Sequence, residues 1–163
     1  MIVVSNTSPL TNLAAIGQFD LLRRLYSEIH IPSGVWDELN AMGKPWPGSK
    51  EVAEADWIRQ HTVKNKLWVC SLRRDLDRGE SESIVLASEL GSDMILLDEK
   101  EGRSAAKRIH LKPMGVIGVL LEAKSKNLVK AIRPHLDSLR QIAGFRMSEP
   151  LYLYSLELAN EKS

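Results

Sequence analysis

The chain is predicted to fold as an α/β domain with helices packed around a central, mainly parallel β-sheet. Two runs predict the sheet. Ile2-Val3-Val4-Ser5 is a short β-branched stretch that stops at Asn6. Met94-Ile95-Leu96-Leu97 is apolar throughout, as suits a central parallel strand covered on both faces. The third observation is the alternation of short strand-like runs with helical stretches, the order that βαβ units produce. At 163 residues the chain has the length of one domain and can bury a substantial core. A single domain over residues 1–163 is the simplest reading, with no internal repeat and no low-complexity tract.

Taken in order, Ile2–Ser5 is the first strand. Ser8 before Pro9 reads as an N-cap and N1 pair, opening a helix that runs through Leu13. Gly17 ends it, and Asp20 caps the next helix through Leu21, Leu22 and Leu25. Ile29-His30-Ile31 is a second strand, after which Pro32 and Ser33 start a helix carrying Val35, Trp36, Leu39 and Met42. Residues 43–48, Gly-Lys-Pro-Trp-Pro-Gly, form the clearest loop. A short helix through Val52 and Ala53 follows, then a strand between Trp57 and Val63; residues 64–76 give no readable pattern. Gly79 leads into a helix from Glu80 to Leu90, ended by Gly91, and Met94–Leu97 is the next strand. Helices are predicted over Arg103–Arg108, Val116–Ala123 and Leu128–Ile142. Residues 144–159 read as a strand followed by a helix.

A formal net charge of +1 supplies no global basic field, so contact with nucleic acid must rest on a local patch. Composition is 44% hydrophobic and 26% charged, an ordinary globular balance. The single cysteine, Cys70, excludes an internal disulfide framework and a multi-cysteine zinc site. The opening residues lack the basic and apolar regions of a signal peptide, and no apolar run approaches the roughly 20 residues of a membrane span. A soluble cytoplasmic protein is expected.

Four polar residues stand where this reading places a pocket. Ligands of open parallel sheets bind outside the carboxyl ends of the strands. Asn6 and Asp98 occupy those ends, although each alone reads equally well as a cap of the next helix or turn. At 100° per residue Glu80 falls within the arc of Ser83, Ile84, Ala87 and Leu90, whereas Glu82 and Glu89 point to the other side. An acid there is either a partner of the helix dipole or a site carboxylate. Glu38 borders the stripe of Val35, Leu39 and Met42 while Asp37 points away; alone, Glu38 reads as a solvated rim residue. Together, three carboxylates and one amide oxygen are hard ligands that suit Mg²⁺ or Mn²⁺. Without a cation such a cluster repels itself; with one it supports hydrolysis of a phosphodiester by water.

The same residues resemble a known family. Val4-Ser5-Asn6-Thr7-Ser8-Pro9-Leu10 with Asn12–Gly17 resembles the first motif of PIN-domain proteins of the VapC-like toxin type, and Ile31-Pro32 with Val35–Leu39 resembles the second. Asp77–Ile84 is similar to the third motif. Leu96-Leu97-Asp98-Glu99 with Arg103 is similar to the fourth, and Gly115–Leu120 to the segment after it. The likeness covers residues 1–126, and the ordered set carries more weight than any one motif. It implies a three-layer α/β/α fold, a Mg²⁺-dependent ribonuclease, a small antitoxin protein as partner, and a homodimer. Carried over position by position, the metal-binding and catalytic residues are Asn6, Glu38, Glu80 and Asp98, with Ser8 beside the metal water. Asn6 stands where the family usually has Asp. An amide oxygen coordinates without charge, which lowers metal affinity and removes a candidate general base.

Motifs for other chemistries are absent: no Gly-x-Gly-x-x-Gly, no P-loop and no His-Glu-x-x-His. His30, His61, His110 and His135 are scattered and read as structural or solvated. Arg103 and Lys107, four residues apart, with Arg108, either clamp RNA phosphates or form an ordinary charged helix face. Trp36 reads as core, and Trp46 is the tryptophan placed for RNA or partner contact. The apolar tail Leu151-Tyr152-Leu153-Tyr154 either docks on the domain, dimerises or receives an antitoxin helix. Three functions compete on this sequence. One is a metal-dependent endoribonuclease, another a catalytically silent binding module favoured by Asn6. The third is a phosphatase or DNA nuclease using the same acids.

Overall fold

The structure, a computed structural model, describes residues 1–41, 46–92 and 94–162. Met42 and residues 43–45 of the breaker-rich loop lie outside the described residues.

Five strands form one all-parallel sheet in the order β3-β2-β1-β4-β5: β1 Val3–Ser5, β2 Ile29–Pro32, β3 Ile58–His61, β4 Met94–Leu96 and β5 Lys112–Met114. Successive strand residues point to opposite faces, and the two faces feed two separate cores. Val3, Ile29, Ile31, Met94 and Leu96 pack on one side against Leu10, Leu22, Val119 and Leu136. Val4, Ile95 and Leu97 pack on the other against Ile84, Val85 and Ala106. The arrangement is the expected three-layer α/β/α sandwich. The unbroken apolar run at Met94–Leu97 is explained by burial on both faces.

Helices α1 (Thr7–Ala15), α2 (Asp20–Tyr26), α8 (Val116–Ser125), α9 (Arg133–Gln141) and α10 (Glu149–Leu158) contribute to the first core. Helices α5 (Lys66–Leu72), α6 (Arg78–Glu89) and α7 (Lys100–Arg108) contribute to the second. The short helices α3 (Ser33–Leu39) and α4 (Ser49–Glu54) complete the set among the described residues.

Several sequence expectations are corrected. Helix α1 begins at Thr7 with Asn6 as N-cap, so Ser8 is a second-position residue and caps nothing. The unreadable stretch holds α5, capped by Asn65, whose side chain accepts from Trp68 N. Strand β5 escaped notice because Lys112-Pro113-Met114 has no alternation; a proline is tolerated there on the edge of the sheet. The helix expected from Leu128 starts only at Arg133, after left-handed Asn127 (φ 59°), because Pro134 fits a helix only in its first turn. No strand precedes α10 among the described residues of 144–148; Ser148 caps that helix by accepting from Leu151 N. The tail docks on the body of the domain, burying Tyr152, Ser155 and Leu156.

Candidate active site

The strand order reverses direction at β1, whose neighbours are β2 on one side and β4 on the other. At such a switch point the two following connections diverge to opposite faces and leave a crevice at the carboxyl edge. Ser5 is in register with Leu96, and Asn6 N donates to Leu96 O at 3.0 Å, so Asn6 stands level with Leu97 and Asp98 follows one residue beyond, both at that carboxyl edge.

Asn6 is the N-cap of α1 by backbone conformation, yet its side chain makes no capping bond. Asparagine is among the best capping residues because its oxygen accepts from a first-turn N–H. Here Oδ1 is buried and accepts nothing, while the residue as a whole is 3% exposed. Asp98 is similar. Its Oδ1 accepts from Val116 N at 2.9 Å, and its buried Oδ2 has no donor. A buried acceptor left unpaired costs about 1–3 kcal/mol. Two of them on neighbouring strand ends mark a place where the fold keeps oxygens available.

Helix α6 delivers the next two groups. Asp77 caps it in a reciprocal box: Glu80 N donates to Asp77 Oδ1 at 2.8 Å and Asp77 N donates to Glu80 Oε1 at 3.2 Å. Glu80 is thereby held inward and buried, with Oε2 against α7. A β-carbon on Gly102 would lie 2.9 Å from that oxygen. Gly79 passes equally close to the other half of the site, where a β-carbon would lie 2.9 Å from Asn6 Oδ1 and 3.3 Å from Glu38 Oε2. Glu38, in the last turn of α3, is exposed, but Thr7 Oγ1 donates to its Oε2 at 2.7 Å. The four positions named from sequence therefore all face the edge of the sheet, grouped by α6.

Burial pushes the Asp98 carboxyl up to about 6; Glu99 adds to the rise, and the Val116 N–H and Arg103 oppose it. Burial also raises Glu80 to about 7, with the charges of Asp77 and Glu99 adding to it. Two acids reluctant to ionise in one cleft are a mark of a functional site.

Glu82 corrects the helical-wheel expectation. It is buried, not solvated, because α3 covers the flank of α6: its carboxylate accepts from Gly34 N at 2.9 Å and from Arg78 Nε at 2.8 Å. Arg78 in turn pairs with Asp37 at 3.0 Å, so a four-residue tie joins α3 to α6 beside Glu38 and Glu80. Ser8 Oγ donates to Glu99 Oε1 at 2.8 Å, which ties the first turn of α1 to the residue after Asp98. Arg103 donates to Leu97 O at 3.1 Å, and its Nη1 approaches the Asp98 side of Gly115. Lys107 is exposed in the last turn of α7, about 6 Å farther along the axis. Sequence reasoning missed Thr7, Asp77 and Glu99. Asp77 had a readable signal, an Asp three residues before Glu at a helix start; the others depend on tertiary contact.

Among the described residues no three His, Cys, Asp or Glu side chains converge tightly enough to form a metal centre by themselves. Among the described residues three buried side-chain oxygens lack a hydrogen-bond partner, Ser81 Oγ within α6 and, at the strand ends, Asn6 Oδ1 and Asp98 Oδ2; the last two are hard neutral and anionic donors that fit Mg²⁺ or Mn²⁺. Glu38 and Glu80 flank them. Residues 2–161 match a family model described as a PIN domain. No curated protein matches the chain.

Proposed function

This chain belongs to the PIN-domain family, and from that premise we propose that it is a Mg²⁺- or Mn²⁺-dependent endoribonuclease acting as the toxin of a toxin–antitoxin pair. The observation that carries the proposal is the pair of buried, unpartnered oxygens, Asn6 Oδ1 and Asp98 Oδ2, at the switch point of the sheet. PIN domains are generally nucleases, and the acidic crevice suits hydrolysis of a phosphodiester.

In this reading Asn6 and Asp98 hold the cation, with Glu80 and Glu38 completing its surroundings. A bound divalent cation polarises a phosphoryl oxygen and makes water a nucleophile near neutral pH. Glu80 Oε1 is occupied by the Asp77 N–H, so Oε2 is the oxygen that would face a bound cation or take up a proton from water. Glu38 is held in orientation by Thr7. The Arg103 guanidinium spends one donor on Leu97 O and turns others to the RNA phosphate, with Lys107 extending the basic side of α7. Ser8 acts through Glu99, fixing the charge next to Asp98. A small antitoxin protein and a second copy of the chain are the partners that the resemblance implies. Among the described residues no helix is long and apolar enough to cross a membrane, and a cytoplasmic location fits the reading.

Asn6 favours a second reading, a catalytically silent module that binds RNA or protein. Thermal unfolding with and without millimolar Mn²⁺, in the wild type and in Asp98→Asn, separates the two. At ten times Kd the cation stabilises the fold by about 1.4 kcal/mol, roughly 3–6 °C for a chain of this size. That rise should be absent from the variant. A wild type with no rise favours the silent module.

A further inference from the structure

Beyond Asp98 the crevice opens into a cavity of about 490 Å³ between β5, α8 and α10. This volume lies in the roughly 300–1,000 Å³ range of small-ligand sites. Its lining is divided in character. Asp98 and Arg103 form one end, and among the described residues they are its only charged lining. Apart from Ser155 the remainder is apolar and aromatic, chiefly Met114, Ile117, Leu121, Phe145, Tyr154 and Leu158. Tyr154 and Leu158 are more than half exposed, at 56% and 55%, so the cavity wall includes apolar groups that the fold leaves uncovered. Glycine shapes the wall between the two ends: a β-carbon on Gly115 would lie 2.6 Å from Asp98 Oδ1, and one on Gly118 would lie 2.7 Å from Met114 Cγ.

We propose that this cavity is a nucleobase subsite, taking the base next to the scissile phosphate while that phosphate rests on Arg103. The inference rests on the ribonuclease reading above and adds to it a residue-level account of how RNA is seated. Charge decides the orientation. A polynucleotide keeps its charge on the backbone, and Arg103, the one cationic lining residue among those described, stands at the catalytic end, so the phosphate stays there and the uncharged base goes inward. Phe145 and Tyr154 offer rings for stacking, which is tolerant of sequence because every base has a π-face.

The test uses the full chain and a fluorescein-labelled pentaribonucleotide, with five further versions each abasic at one position. Binding is read by anisotropy in EDTA, so that it is separate from cleavage. The wild type should lose roughly 5- to 100-fold in affinity for one abasic version, the worth of one stacked base. Leu121→Trp, which fills the cavity, should bind the intact and the abasic versions alike. Leu158→Trp at the exposed rim gives the same reading should the first variant fail to fold. Equal binding of all six oligonucleotides by the wild type overturns the subsite, as does a penalty that persists in both filled variants. Cleavage of a long single-stranded RNA in Mn²⁺ then tells which proposal failed. Cleavage unchanged in the filled variants leaves the ribonuclease reading in place. A wild type that neither binds nor cleaves overturns both. A change in oligomeric mass in Leu158→Trp without a change in base discrimination identifies a second copy as the occupant and overturns the proposal.

Discussion

A β-carbon on Gly79 would lie 2.9 Å from Oδ1 of Asn6, nearer than real β-carbons come to an oxygen. The amino terminus of α6 is thus laid directly over the end of β1, and glycine is what permits it. The close approach shields Asn6 Oδ1 while Glu38 is drawn to the same spot.

Gly79→Ala should therefore separate function from stability. Alanine gains up to about 1 kcal/mol of helix propensity in α6, while its methyl group displaces Asn6 and Glu38. The expected outcome is a melting temperature within a few degrees of the wild type and at least a fivefold loss of Mn²⁺ affinity by calorimetric titration. Unchanged affinity would mean that Asn6 Oδ1 is not a ligand.

Restoring a charge at the same oxygen is the converse change. Asn6→Asp should raise Mn²⁺ affinity about tenfold at pH 8, a gain of about 1.4 kcal/mol, and should lower metal-free stability through repulsion with Asp98 and Glu80. Both are read in one thermal series with and without metal. If the metal-free protein is stabilised instead, the acids are farther apart than the account requires.

The raised carboxyls give a pH dependence of definite sign. Asp98 at about 6 and Glu80 at about 7 hold protons in the folded metal-free protein that the unfolded chain releases near pH 4. The folded state binds more protons across that window, so stability falls as pH rises from about 4.5 to 7, by at most about 1.4 kcal/mol per pH unit for each group. Metal binding needs the ionised forms, so Mn²⁺ affinity should rise over the same range. Melting temperatures in EDTA from pH 5 to 8 should fall more steeply in the wild type than in Asp98→Asn. Equal slopes would remove Asp98 from the account.

Arg78→Ala removes the Asp37 arm of the tie between α3 and α6 while leaving Glu82 its bond to Gly34. A half-exposed arginine serving a buried carboxylate suggests a loss of roughly 1–2 kcal/mol. Mn²⁺ affinity should fall as well, because Glu38 sits at the end of the same helix. A variant that loses stability but keeps full metal affinity would make the tie structural only.

The site was legible where one residue type answers to one local constraint. Asn6 and Asp98 end β-branched or apolar runs, and Glu80 lies on the buried arc of α6; these are properties of single elements. Glu82 was misplaced because a helical wheel knows one buried face, whereas α6 is covered by the sheet and by α3 together. Ser8 was misassigned for a related reason: Ser-Pro is a capping pair in isolation, but the chain turns into α1 two residues earlier, and the hydroxyl goes to Glu99 across the crevice. The cavity beside Asp98 could not be read at all. It is assembled from β5, α8 and α10, and neither β5 nor α10 starts at a boundary that the residue pattern marks.

Whether oxygens at the β1–β4 switch point hold a cation for RNA hydrolysis turns on Asp98→Asn. Asparagine at 98 keeps the acceptor for Val116 N and the shape of the side chain while removing the charge at Oδ2. Cleavage of single-stranded RNA would be measured in Mn²⁺ and in EDTA for the wild type and the variant, with melting temperatures as the control for folding. The wild type should cleave in Mn²⁺ and not in EDTA, and the variant should fold yet lose at least 100-fold in rate. Cleavage by Asp98→Asn at the wild-type rate would contradict a cation held by these oxygens.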